Sequence, residues 1–357
     1  MSAPSLIERF NLRLPVVQAP MAGGVTTPEL VSEVCKAGAL GFIGAGLMPP
    51  QTIAEHAAAI RQRTDKPFGI NLFVQYFREP PNQIADPIPR WLADIYHKRG
   101  LPLPKQHQPT PLFEDQLDAV LSIQPAVASF AFGLLRPEHI RALKERRIAI
   151  VGTANHAEEA KHWEDIGADA VCVQGSDAGG HRGGFTEQYI EQPMGLQPLM
   201  TQCRQNVRVP LWAAGGLMTG QSIAAVRNLG AEAAQMGTAF LSTRESGIPR
   251  AYKNALLDIR RAVTAHTKLF SGRPGRALVN RFIRENMMYE QHVAAYPLQR
   301  AYTAPLLAYA EENGDPDYMA LWAGRGVGLC RDVSVAELMD ILEEQYNEAI
   351  GKSRSEG

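Results

Sequence analysis

Between residues 16 and 237, eight short apolar runs alternate with segments of helical character, which restricts the chain to a parallel sheet with helical crossovers. The runs fall at 16–19, 40–45, 68–73, 126–131, 148–152, 170–174, 209–214 and 233–237. Several are apolar almost throughout, as strands covered on both faces must be, and a glycine or polar residue closes most of them. Helix signals fill the gaps: Thr27 reads as an N-cap, Pro28 as the first helical residue and Gly38 as the stop. Further helices are expected at 51–63, 137–145, 157–167, 195–205 and 220–230. Eight such units fit a (β/α)8 TIM barrel, whose usual length is roughly 250 residues. A doubly wound sheet would carry G-x-G-x-x-G after its first strand, and Pro20-Met21-Ala22-Gly23-Gly24 does not match.

Two stretches stand outside the repeat. Residues 75–114 interrupt the unit after strand 3 with proline-rich text, including Glu79-Pro80-Pro81 and Leu101-Pro102-Leu103-Pro104, and are expected to lie over the barrel mouth. Residues 247–357 lack the β-α repeat but show helical periodicity at 252–265, 304–312 and 335–350. The expected organisation is therefore a 1–246 barrel followed by a 247–357 helical cap or subdomain, with the 351–357 tail frayed. Thirty-six basic and 37 acidic side chains nearly cancel, so no overall field favours nucleic acid or an anionic membrane. No apolar run approaches the roughly 20 residues of a membrane span, and 2–14 lacks a signal peptide's apolar centre, so the protein is expected in the cytoplasm. The four cysteines form no C-x-x-C pair and read as reduced, packed thiols.

In barrels of this kind the chemistry sits on loops after the strands' C-terminal ends, and phosphate is often held after strands seven and eight. Here those loops are Ala213-Ala214-Gly215-Gly216 and Gln235-Met236-Gly237-Thr238. Glycines let backbone N–H groups approach an anion, and Thr238 adds a hydroxyl. One Gly-Gly pair alone would read as a tight turn, but two such loops side by side point to a phosphate. The loop after the sixth run has five glycines in the eleven residues 174–184, among them Gly179 and Gly180. His181 stands inside it as a candidate base, where a histidine on an ordinary loop would be a surface residue. The nine histidines include no H-E-x-x-H or other compact ligand spacing, so no protein-bound catalytic metal is expected. Asn71 and Gln174 close the third and sixth runs. Their amides either face a heterocycle with alternating N–H and C=O groups, such as a flavin ring, or tie down their own loops. Met21 is either an apolar wall of the site or a plug in the barrel top.

Taken in order, Gln18-Ala19-Pro20-Met21-Ala22-Gly23, Gly41-Phe42-Ile43-Gly44-Ala45-Gly46, Gly69-Ile70-Asn71-Leu72, Gly179-Gly180-His181-Arg182-Gly183, Ala213-Ala214-Gly215-Gly216 and Gln235-Met236-Gly237-Thr238-Ala239-Phe240 resemble the nitronate monooxygenases, formerly called 2-nitropropane dioxygenases. The likeness continues more weakly through Ser271-Gly272-Arg273-Pro274 and Leu321-Trp322-Ala323-Gly324. It implies an FMN-binding barrel that oxidises alkyl nitronates, and nitroalkanes once deprotonated, with O2 to carbonyl compounds and nitrogen oxides, without consuming a nicotinamide. Asn71, Gln174, Gly179, Gly216 and Gln235 to Thr238 would hold FMN, and His181 would be the active-site histidine. The insertion after strand 3 resembles that of the histidine-bearing branch. Asp177 stands where a glutamate is common and Arg325 where glutamine is usual, which leaves the shape of the substrate pocket open. Tyr76, Tyr296 and Tyr302 are candidates to line that pocket, and each is equally readable as a buried structural tyrosine.

Two competing activities remain. FMN-dependent enoyl-thioester or quinone reductases resemble much of the same barrel but draw hydride from NADH or NADPH, and fold alone does not separate them from nitronate oxidation. A flavin-binding protein without turnover is the third reading, and a candidate base at the mouth argues against it.

Overall fold

All eight expected runs become strands of one parallel sheet in the computed structural model, which describes residues 5–76, 87–105 and 111–351. In chain order the strands are β1 Val16–Gln18, β2 Gly41–Gly44, β3 Phe68–Phe73, β4 Val127–Ala131, β5 Ala149–Ala154, β6 Ala170–Gln174, the two-residue β7 Gly180–His181, β8 Leu211–Ala214, β9 Ala233–Met236, β10 Thr264–Thr267 and β11 Gly275–Leu278. The eight-stranded order is β1-β9-β8-β6-β5-β4-β3-β2. Its two ends meet at Leu40, whose N–H donates to Val16 (3.1 Å) and whose carbonyl accepts from Gln18 (2.9 Å). The sheet thus wraps into a (β/α)8 TIM barrel. The Gln18 side chain reinforces this short seam, because its Oε1 accepts the Phe42 N–H at 2.9 Å.

Strand periodicity divides the side chains between two layers. Val17, Phe42, Val127, Val151, Cys172 and Trp212 fill the interior, where Leu6 from the N-terminal helix Leu6–Arg9 packs against them. Their sequence neighbours Val16, Ile43, Ala128, Ile150, Val171 and Leu211 face the surrounding helices. Those helices run over Pro28–Lys36, Pro50–Arg63, Phe113–Ile123, Pro137–Glu145, Ala157–Asp165, Leu196–Asn206 and Gly220–Asn228, with a single turn, Thr238–Leu241, after β9. Thr27 caps the first of them as expected, its side chain accepting from Leu30 N. The four cysteines are free, and burial pushes the thiols of Cys35, Cys172 and Cys203 up to about 12. Among the described residues no helix is long and apolar enough to cross a membrane.

The insertion and the C-terminal segment meet each other. Within the insertion, helix Arg90–Lys98 buries Trp91, Leu92 and Tyr96 in a second cluster built mostly from residues after Ile248. Tyr96 Oη donates to the Tyr302 carbonyl at 2.7 Å. Residues 77–86 and 106–110, which carry part of the proline-rich text, and tail residues 352–357 lie outside the described residues. The helix expected over 252–265 ends early: Arg250–Leu257 is helical, but Thr264–Thr267 turns into β10. Its helical periodicity yields to pairing with β11, which in turn pairs with β7. The last helix, Val335–Ala349, packs on the barrel, with Leu338, Met339 and Leu342 in the main core and Gly220 directly under Tyr346. The described residues 247–351 therefore supply side chains to both clusters.

A Cβ on Gly152 of β5 would fall inside the ring of fully buried Trp163, whose Nε1 is held by the Thr153 carbonyl at 3.2 Å. Gly152→Ala should overpack this contact and destabilise the barrel by about 1–3 kcal/mol. Urea denaturation of the two proteins measures the loss, and equal midpoints would show that Trp163 is free to move aside.

Candidate active site

The same alternation that fills the barrel with apolar side chains turns polar at its C-terminal end. Asn71 and Ser129 are register partners on β3 and β4, and the Asn71 amide donates to Ser129 Oγ at 2.9 Å. Gln174 ends β6, and Gln235 lies one residue before the end of β9. Met236 itself is core, and only its backbone takes part at the mouth, accepting from Ala19 N at 2.9 Å. Met21 rests across the top, with its sulfur 3.7 Å from where a Gly237 Cβ would stand. It can do so because Gly44 has no side chain to displace the Met21 backbone.

The glycine-rich loop after β6 is held from outside itself. Glu159, fully buried, accepts the N–H groups of Asn155 (2.6 Å), Phe185 (2.7 Å) and Thr186 (2.7 Å). Asn155 accepts from Gly184 N and donates to both the carbonyl and the Oε1 of Gln174. Gln174 Oε1 also accepts from Gly183 N at 2.7 Å, and its Nε2 donates to the His181 carbonyl at 3.0 Å. Of the two readings of the Gln174 amide, loop-tying is the one these contacts carry. They leave one amide hydrogen available to a ligand. Buried Arg182 closes the loop's other edge by donating to the carbonyls of Gly175 and Gln174.

His181 lies on β7, where it pairs with Gly275 of β11 and Gly180 pairs with Arg276. Gly180 reaches this position with φ +75°. The imidazole Nε2 is 2.7 Å from Ser271 Oγ, and the rings of Trp322 (4.7 Å), Phe132 (6.1 Å) and Tyr296 (6.3 Å) surround it. Arg273 stacks on Phe132 at 4.1 Å and donates to the carbonyls of Arg182 and Gly184. Burial, then the guanidinium groups of Arg273 and Arg300, push His181 down to about 3. The ring is therefore neutral at physiological pH, a weak base with one nitrogen lone pair unprotonated.

Beside it the two phosphate-type loops converge. Gly215 (φ +130°) approaches Ala178 and Asp177, and Gly216 (φ +71°) stands over Asp177. The N–H groups of Gly216, Gly237 and Thr238 find no acceptor among the described residues. Gly179 packs against the backbone of Ala323 and Gly324, where a Cβ would collide, and Gly324 N donates to Thr238 Oγ1 at 2.9 Å. Asp177 and Arg325, the two departures from the resembled pattern, are neighbours at 3.7 Å, and Asp177 O accepts from Arg325 N.

His181, Met21, Asn71, Gln174, Gly179, Gly180, Gly215, Gly216, Gln235, Gly237 and Thr238 thus occur at the strand ends and loops of one barrel mouth. The candidate tyrosines separate. Tyr296 stands beside His181, Tyr302 is buried in the second cluster, and Tyr76 packs on Phe113 and His139. Sequence reasoning did not single out Ser271, Arg273 and Trp322 as chemistry, although their motifs were visible. It passed over Phe132, whose φ of +75° at the end of a barrel strand marks it as held in a rare conformation.

Known proteins match this architecture along its length. The nitronate monooxygenase family profile covers residues 4–345. A probable nitronate monooxygenase of Bacillus subtilis (strain 168) is 36% identical over 344 residues, 94% of this chain and 97% of that protein. Among solved structures, nitroalkane oxidase from Streptomyces ansochromogenes superposes with a TM-score of 0.88 at 38% identity, covering 97% of this chain and 99% of that one. FabK from Thermotoga maritima is more distant, with a TM-score of 0.76 and 26% identity over 98% of each chain. With its barrel, its histidine loop and these full-length matches, the chain belongs to the nitronate monooxygenase family of oxidoreductases.

Proposed function

We propose that the protein oxidises alkyl nitronates, and nitroalkanes after proton loss, with FMN and O2, giving carbonyl compounds and nitrogen oxides. The arrangement that carries this reading is the His181 imidazole, hydrogen-bonded to Ser271 and kept neutral by burial and by the charges of Arg273 and Arg300, at the same barrel mouth as a cradle of backbone donors without internal acceptors. That cradle suits a phosphomonoester: Gly216, Gly237 and Thr238 offer N–H groups without an internal acceptor, and a side chain at Gly216 would be strained. Asn71, the spare hydrogen of Gln174 and the Met21 side chain would receive the ring system. FMN, when bound, supplies the electron-transfer chemistry that links the nitro compound to O2. In this reading residues 1–246 hold the cofactor, and residues 247–357 with the insertion cover it.

The chain's own residues manage protons and charge. Ser271 has one hydroxyl hydrogen and two acceptors within reach, His181 Nε2 at 2.7 Å and the Arg273 carbonyl at 3.2 Å. If Nε2 carries the ring proton, it donates to Ser271 Oγ, Ser271 donates to Arg273, and every group is satisfied. That assignment, made from the hydrogen bonds, leaves Nδ1 as the basic nitrogen. A neutral nitroalkane would lose its α-proton to Nδ1, and the positive charges nearby would favour the nitronate formed. They would also oppose the imidazolium, so a preformed nitronate, which needs no proton transfer, is the less demanding substrate.

Denaturing the purified holoprotein should release FMN and not FAD, and Gly216→Val should weaken FMN binding through backbone strain. Release of FAD, or unchanged FMN affinity in the variant, would remove the phosphate assignment. Anaerobic nitronate should bleach the flavin absorbance without NADH or NADPH, and bleaching by the nicotinamides alone would favour a reductase.

His181→Asn should lower turnover of neutral nitroalkane by about 10²–10⁴-fold while nitronate oxidation persists. Steady-state kinetics on both forms, with FMN content checked, makes the comparison, and equal activity of the loaded variant on nitroalkane would end the role of His181 as base. Because the folded ring titrates near 3, it stays neutral as the pH falls through its ordinary value of 6.5. The wild-type pH profile on nitroalkane should therefore show no histidine limb centred near 6.5.

A further inference from the structure

Helix Leu298–Glu312 begins against the segment that leads into Ser271. Two buried side chains of its opening turns fix it there. Gln299 Nε2 donates to the Leu269 carbonyl at 2.8 Å, and Thr303 Oγ1 donates to the Phe270 carbonyl at 2.6 Å. Both acceptors immediately precede Ser271 in the chain. Arg300 lies between these anchors and is half-buried. It follows Tyr296, whose ring is 6.3 Å from His181, by four residues. Its guanidinium is near enough to the imidazole to oppose its protonation.

The other arginines of the mouth are engaged. Arg182 donates to Gly175 and Gln174, Arg273 to Arg182 and Gly184, and Arg276 to Ser176 and Thr264. Arg300 has no acceptor and no ion pair among the described residues. A guanidinium with no internal acceptor keeps its donors available to an anion, and its planar fork suits two oxygens on one centre. A nitronate carries its charge on two coplanar oxygens bound to nitrogen. The parent nitroalkane has the same two oxygens and no net charge.

We propose that Arg300 is a specificity-determining residue that pairs with the nitronate oxygens and makes the site select the anion over the neutral nitroalkane. The inference deepens the nitronate reading above and rests on it. Discrimination then comes from charge at Arg300, while any proton abstraction belongs to His181.

The probe is inorganic nitrate, a planar anion with the same oxygen arrangement that cannot lose a carbon-bound proton. Calorimetric titration of FMN-loaded wild type, Arg300→Gln and Arg300→Lys, with cofactor content and circular dichroism matched, measures its Kd. Arg300→Gln should weaken nitrate binding about tenfold or more and raise the nitronate KM by a similar factor, with a smaller fall in kcat. Its KM for neutral nitroalkane should change by about twofold or less, and Arg300→Lys, keeping charge without the fork, should fall between. Nitrate affinity equal in Arg300→Gln and wild type would overturn the proposal, as would equal losses on nitronate and nitroalkane. Should the Gln variant fail to fold, the Lys variant decides: nitrate affinity and substrate preference identical to wild type would overturn the role of the fork. A wild type that binds nitrate through Arg300 yet oxidises no nitronate would overturn the proposed activity and leave the anion site standing.

Discussion

A loop with five glycines in eleven residues cannot hold its own shape, and the presentation of His181 depends on the buried carboxylate of Glu159. Three backbone N–H groups converge on that side chain. Leaving even one buried donor unpaired costs about 1–3 kcal/mol, so the loop and helix Ala157–Asp165, which bears Glu159, stabilise each other. Asn155 and Gln174 extend the network to the end of β6, and Arg182 satisfies the carbonyls that the turn exposes. The glycines allow the backbone to reach these partners, and the partners remove the freedom that the glycines bring.

The second support comes from far along the chain. Strand β11 pairs with β7, so the backbone of His181 is fixed by Gly275 while its ring is met by Ser271. Residues before and after the barrel's last unit thus share one histidine. The mouth also concentrates guanidinium groups, although the chain as a whole is nearly neutral. Arg273 is locked by carbonyls and by Phe132, so its charge is a fixed part of the site. A neutral imidazole among fixed cations is a poor place to store a proton and a good place to receive an anion, which ranks the two substrate forms without any appeal to net charge.

Much of the candidate site's placement was legible because barrel geometry converts sequence position into spatial position. A residue that ends an apolar run in a barrel must appear at the mouth, whichever strand bears it. Asn71, Gln174, Gly216 and Gly237 could therefore be assembled before any distance was known. Met236 shows the limit of that rule: it lies within the right motif, but strand alternation turns its side chain into the core. Ser271, Arg273 and Trp322 were harder to place because the segment carrying them has no repeat to fix its position. Helical periodicity was a poor guide at 264–267, where local preference was overridden by pairing with β11. Arg300 carries no signal of its own, since an arginine on a helix is ordinarily a solvated surface residue.

By itself the sequence determined the (β/α)8 barrel, the ends of its strands and the glycine loops at one rim, because the period of apolar residues and the steric freedom of glycine are local properties. The tertiary structure alone decided what surrounds His181: Ser271 on one ring nitrogen, Trp322, Phe132 and Tyr296 about the ring, and burial, with two arginines added, holding it neutral. It also decided that Gln174 ties the loop and that Tyr302 belongs to the second cluster. Most of these outcomes depend on contacts between distant segments: Ser271 lies 90 residues from His181 in the chain, and Tyr302 lies 206 from Tyr96. Burial and electrostatics act through space, so no local pattern records them.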